Sequence, residues 1–211
     1  MTSQYHFLTR WRVAGTPEEI FAILSEPEEY PRWWPSVYLM VREVAPGDRN
    51  GLGRRIRLLT KGWLPYQLDW EASTTAAQPP NRLVVEASGD FEGRGIWSIL
   101  PDGAGSGVGS GLGSDVTFDW KLKARKPLLR YLTPLLRSAF EANHRWAMGQ
   151  GLRSLNLELA RYRAKTVEEM NAVPAPAGPR ELWTRAAATG AVLAAGLVAG
   201  LLTTAESPAK P

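Results

Sequence analysis

The stretch SDVTFDWKLKA, residues 114–124, alternates apolar and polar side chains along its whole length. Val116, Phe118 and Trp120 share one side of this pattern, and the residues between them are polar. A period of two predicts a β-strand with one buried face and one face in contact with water. The segment therefore predicts that an antiparallel sheet forms the framework of the protein.

Six further segments predict strands, at residues 5–14, 36–45, 54–62, 65–77, 82–88 and 91–101. Turn-forming residues separate the later strands by short connections, which favours a meander rather than strand–helix–strand units. A Gly-rich run at residues 103–113 resembles a phosphate cradle only superficially, because no helix start with Lys-Ser or Lys-Thr follows it. We interpret this run as the hairpin loop before the last strand.

Helix signals flank the predicted sheet on both sides. Thr16, Pro17 and Glu19 form the pattern of a capping box, which predicts a helix from Pro17 to about Ser25. The prolines that follow allow only short helical pieces up to the next strand. After the last strand, three- and four-residue spacing predicts a long helix over about 128–164, with an apolar stripe that includes Phe140, Gly151, Leu155, Leu159 and Tyr162.

The composition excludes several classes of chemistry. The 211 residues include no cysteine, and the only histidines are His6 and His144, which excludes disulfides, thiolate sites and a multi-histidine metal centre. We therefore expect neither a metal nor a cofactor. Nine tryptophans together with so few catalytic residue types favour the binding of an apolar ligand.

Three stretches carry a resemblance to a known family. They are residues 11–21, the aromatic segment EYPRWWP at 29–35, and FEANHRWAM at 140–148 together with Gly151. With the order of elements, they resemble the helix-grip fold of the SRPBCC, or START/Bet v 1-like, superfamily, in particular its polyketide cyclase/dehydrase-type members. The resemblance covers about residues 1–165. It implies an α+β fold in which about seven curved antiparallel strands wrap a long C-terminal helix, with two short helices after the first strand.

The resemblance also implies an apolar ligand cavity between the sheet and the long helix. The candidate lining residues are mostly large aromatics, which suit planar or lipid-like ligands. The alternative is that most of them fill the core. The candidates are Trp33, Trp34, Tyr38, Trp70, Trp97, Phe118, Trp120, Phe140, Asn143 and His144.

His144 is the candidate catalytic residue, because an imidazole that titrates near neutrality can act as an acid or base on an enolisable carbonyl. The alternative is that it bonds a nearby strand or loop and orders the helix. Adjacent helix positions diverge by about 100°, so we expect that Asn143 and His144 do not both point straight into one cavity.

The C-terminal region lies outside the family pattern. We interpret residues 166–180 as a Pro/Ala-rich linker, residues 181–205 as a separate hydrophobic helix and residues 206–211 as a tail. Residues 186–205 carry no charge and are long enough to span a bilayer, the alternative being an amphipathic or disordered tail. A basic stretch predicts contact with a membrane surface. The alternative is that it forms a solvated face. Its residues are Lys121, Lys123, Arg125, Lys126 and Arg130.

These features favour a carrier or sensor that binds a hydrophobic, lipid-like or aromatic molecule at the cytoplasmic face of a membrane. Residues 1–12 lack the apolar segment of a signal peptide, so we expect the domain in the cytoplasm, anchored by the C-terminal helix. A polyketide cyclase or dehydratase and a protein-interaction module are the alternatives. No nucleic-acid partner is expected, and the oligomeric state and the ligand stay open.

Overall fold

The computed structural model describes residues 4–49, 51–64, 66–103, 113–125 and 127–179, without the side chains of residues 127–136. Two units divide the chain, residues 1–177 and 178–211, and almost all described residues belong to the first. Its elements are β1 (Gln4–Val13), α1 (Pro17–Leu24), a 3-10 turn (Pro27–Glu29), α2 (Tyr30–Trp33), β2 (Tyr38–Ala45), β3 (Arg55–Lys61), β4 (Gln67–Gln78), β5 (Arg82–Gly89), β6 (Phe91–Pro101), β7 (Ser114–Ala124), α3 (Pro127–Arg163) and α4 (Val167–Ala172).

The sheet has seven antiparallel strands in the order β1-β7-β6-β5-β4-β3-β2. Strands β2 to β7 form the predicted meander, and β1 pairs with β7 so that Trp11 lies opposite Val116. The alternation along β7 is confirmed, because Val116 and Trp120 are buried while Asp115 and Lys121 are exposed. The predicted α+β helix-grip fold, with two short helices after the first strand, is confirmed.

The first helix begins where the sequence predicts it. The Thr16 hydroxyl accepts a hydrogen bond from the backbone N–H of Glu19, and the Glu19 carboxylate accepts one from the backbone N–H of Thr16. This reciprocal cap satisfies two donors that would otherwise lack partners at the helix start. The buried face of α1, which includes Ile20 and Leu24, then packs into the main core.

Helix α3 runs without a break from Pro127 to Arg163 and packs along the sheet. Leu155 and Leu159 are completely buried, as the apolar stripe predicts. Tyr162, predicted on that stripe, is 60% exposed, because the helix has passed the edge of the core at its last turn. At Gly151 the ring of Trp34 approaches so closely that a Cβ would lie 2.2 Å from its Cζ2. The small residue therefore allows the aromatic segment to pack directly on α3.

The segment predicted as a linker contains structure. Thr166 caps α4, and the Arg161 guanidinium donates to the backbone carbonyls of Val173 and Pro174. The described chain therefore stays attached to α3 for about ten residues past the predicted domain end, because a capped helix and an arginine together hold it there. No helix among the described residues is long and apolar enough to cross a membrane. The predicted helix at 181–205 lies outside those residues.

Candidate functional site

The main chamber is an apolar cavity of about 180 Å³ between the sheet and α3. Side chains from β1, β2, β3, β4, β6 and β7 line it on the sheet side, and one face of α3 lines it opposite. Most of these side chains are aromatic or aliphatic. They include Tyr5, Phe7, Trp34, Tyr38, Tyr66, Leu68, Trp70, Phe91, Phe118, Trp120, Phe140, Ala147 and Met148.

A second chamber of about 80 Å³ lies towards α1 and the far ends of β3 to β6. The two chambers share four lining residues, which are Tyr38, Trp70, Phe118 and Trp120. Three rings form a stacked series along this boundary: Phe118 lies 4.2 Å from Trp97 and 5.3 Å from Trp120 between ring centroids. The two chambers therefore share one continuous aromatic wall.

The structure brings most of the predicted ligand-binding residues together. Trp34, Phe140, Asn143 and His144 line the main chamber, in addition to the four shared residues, while Trp97 lines only the second chamber. Trp33 lines neither of these chambers. It is fully buried in the core and stacks on Trp34 with 5.5 Å between ring centroids, so its neighbour in sequence occupies the cavity wall instead.

His144 is held by the first strand. Its Nε2 lies 3.3 Å from the Thr9 hydroxyl, and its ring stacks on Phe7 with centroids 4.1 Å apart. Burial, reinforced by the neighbouring Arg145 charge, lowers the pKa of His144 to about 4. The imidazole is therefore neutral at physiological pH and already has a partner in the protein.

The Asn143 side chain is held by a hydrogen bond on the other side of the same cavity. Its Oδ1 accepts a hydrogen bond of 3.2 Å from the backbone N–H of Leu64, in the connection between β3 and β4. Gly62 in this connection packs so closely that a Cβ would lie 2.1 Å from the same oxygen. The two adjacent residues diverge towards different neighbours, as the helical geometry predicts, yet both line the main chamber because the cavity extends between those neighbours.

Sequence reasoning missed several lining residues. Tyr5 and Phe7 lie on the same side of β1 as Thr9, and Thr60 lies opposite Tyr38 in the β2–β3 register. The period of two along β1 was the available signal for the first pair. No local pattern identifies Thr60, because its position depends on how two strands pair.

The tyrosines of the cavity are kept protonated by burial. Burial raises the pKa of Tyr66 to about 12, with a smaller contribution from nearby Tyr5. Burial alone raises the pKa of Tyr38 well above its usual range. Both side chains are therefore neutral phenols that can donate a hydrogen bond at any physiological pH.

Charged groups contribute little to the cavity lining. Lys61 lines the main chamber and already interacts with another group of the protein. Arg54 lines the second chamber, but its guanidinium donates to the carboxylates of Glu28 (2.7 Å) and Glu43 (3.2 Å) and to the Ser25 carbonyl (3.0 Å). No cluster of three potential metal-ligating side chains occurs in the part of the chain that the structure describes.

The predicted basic stretch is only partly described. Lys121, Lys123 and Arg125 are exposed, and Arg125 pairs with Glu92 at 3.0 Å. Lys126 and the side chain of Arg130 lie outside the described part of the chain. Contact of these residues with a membrane stays a prediction.

Comparison with known proteins identifies the family. A family model described as polyketide cyclase / dehydrase and lipid transport matches residues 6–161. No curated protein matches the sequence.

Solved structures share the fold at low sequence identity. A protein from Thermus thermophilus superposes with a TM-score of 0.58 at 17% identity, over 76% of this chain and 100% of that chain. The Zhui aromatase/cyclase from Streptomyces sp. R1128 gives 0.58 at 12% identity, over 77% and 97%. A START superfamily protein from Mycobacterium smegmatis gives 0.53 at 17% identity, over 71% and 98%. Identities this low establish the fold and leave the ligand open.

Proposed function

The chain belongs to the polyketide cyclase/dehydrase and lipid transport family, and on that premise we propose that it binds a hydrophobic, aromatic or lipid-like small molecule. The observation that carries the proposal is the cavity of aromatic side chains between the sheet and α3. Apolar cavities with a few placed polar groups are the usual binding sites for small molecules. Binding without chemistry fits the site best, because its one histidine is bonded to Thr9.

The proposal is tested by titrating the full chain with N-phenyl-1-naphthylamine, an uncharged probe whose fluorescence rises when it leaves water. We expect saturable binding. Ala147→Phe places a ring in the main chamber and should abolish it, whereas Ala160→Phe adds the same ring on an exposed position of α3 and should not. The absence of saturable binding, or equal binding by both variants, would contradict the proposal.

A polyketide cyclase or dehydratase activity is the second candidate, favoured by the family description. In this case His144 would assist proton transfer from the cavity wall. Its pKa of about 4 makes it a weak base, which limits this role. His144→Gln should then lower turnover of a poly-ketone substrate at least tenfold without weakening its binding; unchanged turnover would remove the histidine from the mechanism.

We also propose that the protein acts at the cytoplasmic face of a membrane, held there by residues 186–205. Support comes from the sequence, in which these 20 residues carry no charge. In this proposal the full chain stays with the membrane pellet after alkaline carbonate extraction. A double variant, Leu193→Arg with Leu197→Arg, should release it. Release of the unaltered chain would overturn the proposal.

A further inference from the structure

Tyr38 lies where the two chambers meet, and its side chain is part of the wall of both. We propose that its hydroxyl donates a hydrogen bond to a neutral oxygen of the ligand, and that the chain selects uncharged, planar, carbonyl-bearing molecules that extend into both chambers. This inference rests on the proposed binding function and adds to it a recognition residue and a ligand class.

The Tyr38 hydroxyl has no hydrogen-bond partner among the described residues. It is not sealed inside the protein either, because the buried polar side-chain atoms that lack a partner belong to other residues, namely Glu28, Trp33, Trp34 and Ser36. The hydroxyl of this half-buried side chain, which lines two cavities, is therefore accessible and has no partner among the described residues. A ligand that supplies an acceptor there satisfies a group that the fold leaves unsatisfied.

Tyr30 shows what a structural tyrosine looks like in the same region. Its ring lies 4.8 Å from that of Tyr38, but its hydroxyl donates to the Leu24 carbonyl at 2.6 Å. Tyr30 is thus committed to holding α1 and α2 together. The two neighbouring phenols therefore differ in their hydrogen bonding.

The ring of Tyr38 is held in a defined position before any ligand arrives. It packs edge-on against Trp34, with ring centroids 5.1 Å apart, and edge-on against Tyr30. Opposite it on β3, the Thr60 oxygen accepts a hydrogen bond of 3.0 Å from Trp70 Nε1. A donor fixed in this way loses little conformational entropy when it binds an acceptor.

The charges around the chambers define what Tyr38 recognises. The Arg54 guanidinium is already bonded to two carboxylates and a carbonyl, and Lys61 has its own interaction. A carboxylate ligand would thus enter an apolar space in which the Arg54 guanidinium is already bonded to two carboxylates, at a high desolvation cost. Because burial keeps Tyr38 protonated, the phenol donates well to a carbonyl oxygen.

The aromatic wall of the site favours a ligand with flat rings. Trp97, Phe118 and Trp120 form a stacked wall that extends from the second chamber into the main one. Flat rings pack best on such a wall. A carbonyl between two flat ring systems would place its oxygen near the boundary where Tyr38 lies.

The test uses two planar probes that differ by one carbonyl, 9-fluorenone and fluorene, titrated against the full chain by quenching of tryptophan fluorescence. The measured quantity is the ratio of the two dissociation constants. Tyr38→Phe should shift this ratio against fluorenone by about fivefold, the effect of one hydrogen bond, and leave fluorene binding unchanged. Tyr66→Phe is the matched control, because it removes the hydroxyl of a half-buried tyrosine that lines the main chamber and not the second one.

The outcomes separate this inference from the proposed function. Saturable binding of both probes with an unchanged ratio in Tyr38→Phe would overturn the role of Tyr38 and leave the binding function intact. An equal shift in Tyr66→Phe would also overturn it, because the preference would then be a general effect of cavity polarity. If neither probe binds, the proposed function and this inference both fail.

Discussion

The two walls of the cavity differ in what their polar groups do. On α3, Asn143 and His144 are bonded to the protein, to the Leu64 N–H and to Thr9. On the sheet side, Tyr38 lines both chambers with a hydroxyl that has no partner among the described residues. The α3 wall therefore holds the cavity together, and the β2 wall offers the recognition group. The comparison teaches that the residues most conspicuous in the sequence need not be those that meet the ligand.

If the α3 wall is structural, variants on α3 should change the free energy of unfolding more than variants on the sheet wall. We expect the largest effect at Gly151. Gly151→Ala should lower the free energy of unfolding by about 2 kcal/mol, because its Cβ would collide with the Trp34 ring. Gly149→Ala should instead raise it by up to about 1 kcal/mol, since nothing lies near the added methyl and alanine favours a helix. Urea denaturation of both variants measures the difference. Similar effects at the two positions would show that Trp34 does not pack on α3 as described.

The His144 contact predicts a pH dependence of stability. Because its pKa is about 4 when folded and about 6.5 when unfolded, the unfolded chain binds the extra proton between these values. The contribution of His144 to stability is complete above pH 6.5, falls as the pH is lowered, and is fully lost only below pH 4. At pH 5 the loss is about 2 kcal/mol.

The measurement compares urea denaturation at pH 7 and pH 5 for the unaltered chain and for His144→Gln. Glutamine cannot titrate, so the variant should lose about 2 kcal/mol less over this range. The carboxylates are common to both chains and cancel in the comparison. Identical pH profiles would place His144 in a solvated setting and weaken the contrast between the two walls.

Asn143 should have a smaller effect on stability and little effect on ligand preference. Asn143→Ala leaves the Leu64 N–H without its acceptor, which should cost about 1 kcal/mol of unfolding free energy. The ratio between fluorenone and fluorene binding should not change. Asn156→Ala, at an exposed position of the same helix, serves as the control and should stay within about 0.5 kcal/mol of the unaltered chain. A change of the probe ratio in Asn143→Ala would assign recognition to α3 as well.

The smallest stability effect is expected at Tyr38 itself. Tyr38→Phe removes an unpartnered hydroxyl and should change the unfolding free energy by less than about 0.5 kcal/mol, whereas Tyr30→Phe removes the bond to Leu24 and should cost about 1 kcal/mol. Thermal or urea denaturation of the two variants tests this. Equal losses would indicate that Tyr38 has a partner in the folded protein.

Most of the fold was predictable because it depends on local periodicity. The alternation of residues 114–124 and the capping box at Thr16 each act within a few residues, and both are confirmed. The segment interpreted as a linker, residues 166–180, contains α4 at residues 167–172. The proline- and alanine-rich composition is a property of the whole segment, and it did not predict the short helix that Thr166 caps.

The site was predictable in its residue types and less so in their roles. Eight of the ten predicted ligand-binding residues line the main chamber. Four of them are aromatics on the sheet, three lie on α3, and Trp34 follows α2. Trp34 lines the cavity and Trp33 does not, because the ring of Trp34 is the one that packs on Gly151. Which ring does so depends on how α2 packs against α3. Adjacent identical residues carry no pattern that separates them.

The sequence by itself determined the strands, the two ends of the first helix and the long last helix, because each follows from spacing along the chain. The apolar cavity was implied by the resemblance to the family. Only the tertiary structure decided which polar groups are satisfied. The partners of Asn143 and His144 lie 79 and 135 residues away, so their hydrogen bonds exist only once the helix meets the sheet. The same packing leaves the Tyr38 hydroxyl without a hydrogen-bond partner among the described residues, at the boundary where the two chambers join.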